Sequence, residues 1–144
     1  MQVKGGVNHI MLRVKDLSRA EAFYSDLLGL DRVGQRKGIH FYSSGQYNHE
    51  LALVEDNLLD SAQVRNNGLV HIAFNVENSM QLTSLYEKLK HLNYPVSPGV
   101  DHVIARSFYT RDPDGYSIEL TTDRAASEWT KNPQAFKADY PLDL

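Results

Sequence analysis

Glu119 is the one carboxylate in the short run SIELT (residues 117–121), which is otherwise apolar or small. A buried charge without a partner costs several kcal/mol, so either this segment is half-exposed or something positive meets it. Two histidines answer by position. The segment VNHIMLRV (residues 7–14) recurs as LVHIAFNV (residues 69–76), aligning His9 with His71, Ile10 with Ile72 and Val14 with Val76. With 6 histidines in 144 residues, chance recurrence of His9 is about one in 24. Two imidazoles and one carboxylate on a common face make a metal site of the kind that leaves open positions for substrate and oxygen. The plainer alternative is two satisfied core histidines and a half-exposed strand.

The elements that must position these groups also come in pairs. The same offset carries Tyr24 to Tyr86, Leu27 to Leu89 and Leu30 to Leu92, the mark of a duplicated supersecondary unit. Each copy opens with a strand of period-2 alternation, Ile10, Leu12 and Val14 in one and Ile72, Phe74 and Val76 in the other. That apolar face packs on a helix, which leaves His9 and His71 on the opposite face. The first helix is expected to begin with SRAE (residues 18–21) as a capping box and to stop at Gly29. The second starts near Asn78 or Ser79, carries Leu82, Leu85, Tyr86 and Leu89, and ends before Pro95.

Short β-type runs follow each helix: GIHFYSS and HELALVE in the first copy, SFYTRD and YSIELTT in the second. DPDG (residues 112–115) reads as a hairpin turn. In the last strand Ile118 and Leu120 share one face, and Ser117, Glu119 and Thr121 the other. The expected fold is α+β: two βαβββ modules, about residues 5–55 and 68–122, forming an open barrel-like mixed sheet with helices outside, all one domain. Residues 55–68 are a polar connection, and residues 123–144 a C-terminal tail with some helix. His40, His91, Arg106 and Arg111 match no site and read as surface residues.

Composition removes several function classes. The net charge of −3 and the lack of a basic run argue against nucleic acid. The absence of cysteine excludes disulfides, thiolate metal sites and cysteine nucleophiles. Residues 1–12 lack a signal-peptide core, and no stretch approaches the ~20 apolar residues that span a bilayer. The expectation is a cytoplasmic protein acting on a small molecule, with no membrane partner.

The segments NHIMLRVKDLSRAEAFYSDLLGL, GLVHIAFNV and SFYTRDPDGYSIEL resemble the vicinal oxygen chelate superfamily of glyoxalase I, fosfomycin and bleomycin resistance proteins and extradiol dioxygenases. The resemblance covers nearly the whole chain. It implies metal ligands at His9, His71 and Glu119, and a homodimer. Within the superfamily the chain is similar to small catechol 2,3-dioxygenase-like proteins. That branch implies Fe(II), with Mn, Ni or Zn as alternatives. It also implies an acid/base histidine at His49 in YNHELAL, and substrate-side groups at Tyr109, ten residues before Glu119, and at His102.

Glyoxalase-type members take a fourth protein ligand from the last strand of the first module, and Glu50 is the candidate here. Neighbours on a regular strand face opposite ways, so His49 and Glu50 compete for the metal side. The resemblance favours His49, and with it cleavage of a vicinal diol by dioxygen. Two alternatives stay open: a glyoxalase-like lyase or isomerase, or a fosfomycin-type thiol transferase, on the same metal, and non-catalytic binding as in bleomycin resistance. The last has no need of three metal ligands.

Overall fold

Strand β1 (Ile10–Val14) shows the expected alternation, with Leu12 and Val14 buried and Met11 and Arg13 exposed. The computed structural model describes residues 6–144, so the expected module start at Gly5 lies just outside them. Helix α1 (Leu17–Glu21) begins two residues earlier than the SRAE capping box suggested. Asp16, in extended conformation, accepts from the Arg19 amide at 2.7 Å, and Ser18 already lies inside the helix. A cap must be the last non-helical residue, and Asp16 fills that place. A π-helical stretch (Ala22–Leu27) continues α1 and buries Phe23, Tyr24 and Leu27. It stops at Gly29, whose φ of +81° suits a residue without a Cβ.

Three strands complete the first module: β2 (Asp31–Arg36), β3 (Ile39–Ser43) and β4 (Leu51–Glu55). β4 returns parallel to β1, pairing Ile10 with Leu51 and Met11 with Ala52, and the sheet order is β1-β4-β3-β2. The connection read as polar coil contains a short helix, α2 (Ser61–Arg65). Asp60 and Gln63 form its capping box, and buried Val64 anchors it.

The second module repeats the plan. β5 (Ile72–Asn75) leads to α3 (Ser79–His91), capped by Asn78, with Leu82 and Leu89 buried and Tyr86 edge-on to Phe108 at 5.3 Å. Asn93, at φ +60°, ends that helix two residues before Pro95. Then come β6 (Gly99–Asp101), β7 (Ala105–Arg111) and β8 (Ser117–Asp123). The turn at residues 112–116 closes the β7–β8 hairpin, its Asp112 amide donating to the Tyr116 carbonyl at 3.1 Å.

β8 returns parallel to β5, and the order is β5-β8-β7-β6, continued at the β6 edge by a last strand at residues 140–142. The fold is thus α+β, two βαβββ modules, each with its own mixed sheet. The chain divides into two compact units: one runs up to Asn67 and includes Pro113–Gly115, and the other comprises Gly68–Asp112 and Tyr116–Leu144.

The C-terminal stretch is more than a tail. It carries α4 (Ala126–Trp129) and a last strand, β9 (Tyr140–Leu142), which extends the second sheet by pairing antiparallel with β6. No helix among the described residues is long and apolar enough to cross a membrane.

Candidate active site

In the second module the ladder itself brings the chemistry together. Glu119 sits in the middle of β8, opposite Ala73 of β5 on one side and Tyr109 of β7 on the other. Register partners share a face, so Tyr109 and Glu119 must look the same way. His71 precedes β5 by one residue and has the parity of Ala73, whose small side chain leaves the carboxylate in reach. His71 Nε2 lies 3.1 Å from Glu119 Oε2. Glu119 is 9% exposed: the carboxylate is buried, with the His71 and His102 imidazoles beside it.

His102 joins from the β6–β7 turn. Its Nε2 stands 3.8 Å from Glu119 Oε1 and 3.3 Å from the Tyr109 hydroxyl, and the His71 and Tyr109 rings approach to 5.6 Å. Burial raises the Tyr109 pKa above its ordinary value, reinforced by the Glu119 charge and hydrogen bond and by Asp139. The hydroxyl therefore remains a proton-bearing donor across the neutral range. Val103 follows His102 with φ +71°, costly for a β-branched residue, and its amide donates to Asp101 Oδ1 at 2.9 Å. This tight turn fixes where His102 stands. A cavity of about 470 Å³ opens beside these groups, lined by His102, Tyr109, Glu119, Phe136, Lys137 and Asp139 among others. That volume lies in the range of small-molecule sites.

In the first module His9 and His49 meet, their ring centroids 4.5 Å apart, and Phe41 stands edge-on to His49 at 5.3 Å. Both His49 and Glu50 precede the first ladder pair of β4. Glu50 still joins its neighbours through its backbone, its amide donating to the Tyr42 carbonyl at 2.9 Å and its carbonyl accepting from the Ile10 amide at 3.0 Å, whereas His49 stands outside the strand. Glu50 is engaged by its own loop, accepting from the Ser44 amide at 2.8 Å, the Ser44 hydroxyl at 3.0 Å and the Tyr47 amide at 2.9 Å. Partial burial would raise its carboxyl pKa, but the hydrogen bonds from Ser44, Tyr47 and Ser43 outweigh it and hold it below the usual range. The ladder also shows which residue matches Glu119. Met11 pairs with Ala52 as Ala73 pairs with Glu119, so Ala52 has that place and Glu50 lies two residues before it.

Do these donors suit a metal? Two ligand bonds of ~2.1 Å at about a right angle place donor atoms ~3 Å apart. The 3.1 Å between His71 Nε2 and Glu119 Oε2 meets that requirement, and a nitrogen with a carboxylate oxygen suits a borderline divalent ion. Among the described residues no group of three His, Asp or Glu side chains is assembled to hold a metal.

Other residues depart from their expected places. His40 is half-buried, its Nδ1 3.3 Å from the Tyr42 hydroxyl and 3.6 Å from Glu21, because its strand lies inside the sheet. Burial, with the Glu21 charge behind it, pushes the fully buried Tyr42 up to about 12. Arg106 is half-buried too, donating to Ser79 Oγ at 3.0 Å, since α3 starts beside β7. His91 and Arg111 are exposed. Asp139 escaped sequence reading altogether: its Oδ1 is 2.6 Å from His102 Nδ1, yet nothing local distinguishes it from the other acids of a polar stretch.

Residues 6–120 match the family model of the Glyoxalase/Bleomycin resistance protein/Dioxygenase superfamily. The chain belongs to that superfamily. Among superfamily relatives, the metallothiol transferase FosB of Shouchella clausii is 30% identical over 84% of this chain and 82% of its own length. Biphenyl-2,3-diol 1,2-dioxygenase 3 of Rhodococcus globerulus is 26% identical over 99% of this chain and 76% of that protein. The crystal structure of lactoylglutathione lyase from Agrobacterium tumefaciens superposes with a TM-score of 0.64 at 25% identity, covering 84% of this chain and 96% of that one. These superfamily names span a transferase, a dioxygenase and a lyase. Membership therefore leaves the reaction to the site.

Proposed function

We propose that the protein is an extradiol-type dioxygenase that cleaves a catechol-like vicinal diol with dioxygen, using Fe(II) held by His9, His71 and Glu119. The observation that carries this reading is the division of labour at the start of β4. His49 lies against His9, while Glu50 is bound into its own loop. Three protein ligands leave room for two substrate oxygens and dioxygen. A fourth from Glu50 would suit the lyase or transferase chemistry instead.

When bound, the iron would act as a Lewis acid on the diol and supply the redox partner for dioxygen. The protein's own groups handle protons and orientation. His49 takes the proton of the second hydroxyl and later returns it, the role a positioned imidazole fills best near neutral pH. Tyr109, kept protonated by burial and by Glu119, donates its hydroxyl to a substrate oxygen. His102 lines the same cavity and orients the diol beside Tyr109. A homodimer, expected from the family resemblance, belongs to this reading and is tested by light scattering.

The experiment is oxygen uptake with a panel of catechols on protein loaded anaerobically with Fe(II), run beside hemithioacetal isomerisation and thiol transfer on the Mn, Ni and Zn forms. Wild-type uptake that His49→Phe lowers by about 10²–10⁴-fold, with iron retained, is the expected result. Uptake that survives His49→Phe and collapses in Glu50→Gln would reverse the assignment. Isomerase or transferase activity without oxygen uptake would replace the dioxygenase.

A further inference from the structure

Strand β9 pairs with β6 in a register that matches Asp101 with Tyr140. One residue further along each strand, His102 faces Asp139, and the two side chains meet at 2.6 Å between Nδ1 and Oδ1. A carboxylate can only accept, so the proton in that contact belongs to the imidazole. The other ring nitrogen, Nε2, lines the cavity side, 3.3 Å from the Tyr109 hydroxyl and, beyond hydrogen-bond reach, 3.8 Å from Glu119 Oε1. The strand that delivers Asp139 is seated closely. A Cβ on Gly99 would lie 2.5 Å from the Leu142 carbonyl oxygen, so the approach of β9 depends on glycine there.

We infer that Asp139 is a positioning residue that holds His102 in its Nδ1–H tautomer, with Nε2 presented as an acceptor towards Tyr109 and the substrate cavity. The inference rests on the reading of His102 as a substrate-side group. A histidine whose outer nitrogen is tied to a carboxylate has both its tautomer and its ring plane set. The C-terminal stretch thereby becomes part of the site: Phe136, Lys137 and Asp139 form one wall of the cavity, and β9 holds that wall in place.

The test reads the tautomer directly. Full-length, metal-free, ¹⁵N-labelled protein is examined by long-range ¹H–¹⁵N NMR of the imidazole rings at about two pH units above the ordinary histidine value. The His102 signals are assigned by their loss in His102→Asn. The wild type should show a protonated Nδ1 and a bare Nε2. Asp139→Ala, a change at an exposed side chain, should move the ring towards the Nε2–H form, and Asp139→Asn, which keeps an acceptor oxygen, should restore the wild-type signature. A wild-type ring bearing its proton on Nε2, or an Asp139→Ala spectrum identical to wild type, overturns the inference. Neither metal nor substrate is present, so this outcome stands apart from the oxygen-uptake assay that decides the reaction. In the active enzyme Asp139→Ala should lower kcat by about tenfold or more with little change in KM, and Asp139→Asn should recover most of it.

Discussion

Glu50→Gln separates a loop-capping carboxylate from a metal-binding one. In the structure the Glu50 carboxylate accepts from the Ser44 amide, the Ser44 hydroxyl and the Tyr47 amide at 2.8–3.0 Å. Glutamine offers one oxygen, and its NH₂ would confront a backbone N–H, so at least one bond is lost and the charge assistance of the rest disappears. Bonds to a charged acceptor are worth ~1.5–3 kcal/mol each when removed from burial. This loop is largely solvated, and water replaces much of the loss, so the net cost should be about 1–2 kcal/mol. For a chain of this length that is a fall in Tm of about 3–6 °C.

The pH dependence carries a definite sign. The folded-state pKa of Glu50 lies below its unfolded value, so its stabilisation is fully present above the ordinary carboxylate range and is lost as pH falls through the lowered value. The gap between wild type and variant should therefore be open at neutral pH and close in acid, measured by urea denaturation across that range. Metal content, measured in parallel, should not change. A variant that loses bound metal, or a stability gap that persists at low pH, would refute the assignment of Glu50 to the loop.

Glu119→Gln and His71→Ala should each lower metal content by tenfold or more on anaerobic loading, because each removes a donor of the 3.1 Å pair; elemental analysis of both variants checks it. Tyr42 should resist ionisation to about pH 12 in an ultraviolet titration. Because that pKa is raised on folding, the stability it contributes is whole below pH ~10 and declines as pH rises towards the folded value, a loss that Tyr42→Phe should abolish. Gly99→Ala should displace β9, since its Cβ meets a backbone oxygen, and hydrogen exchange should speed up at the Tyr140 and Leu142 amides while the amides of β8 keep their protection.

Periodicity revealed the duplicated module because an amphipathic strand followed by an amphipathic helix leaves a strong local signal. The alternation in β1, the Leu82–Leu89 stripe of α3 and the 112–116 turn all follow from such patterns. Features that depend on tertiary packing were less legible. The capping choice of Asp16 over Ser18 hung on a two-residue shift in where the helix begins. β9 is three residues long and contains Pro141, so its pairing rests on contacts with β6 rather than on β-propensity. Asp139 was invisible for the same reason: its importance comes from the strand that carries it opposite His102.

The register of the two sheets also explains why the carboxylate is single while the histidine is doubled. His9 and His71 each stand one residue before the first parallel pair, Ile10 with Leu51 and Ile72 with Ile118. Their counterparts across the ladder have diverged. The position of Glu119 in β8 is Ala52 in β4, and a buried methyl needs no charge partner where a buried carboxylate does. The first module instead carries chemistry just outside its strand, where His49 escapes strand parity and reaches the His9 ring. A duplication that kept both histidines, one carboxylate and one extra imidazole supplies the two nitrogens, one oxygen and separate acid/base that the proposed diol cleavage would use, whereas a fourth carboxylate ligand would suit the proposed alternatives.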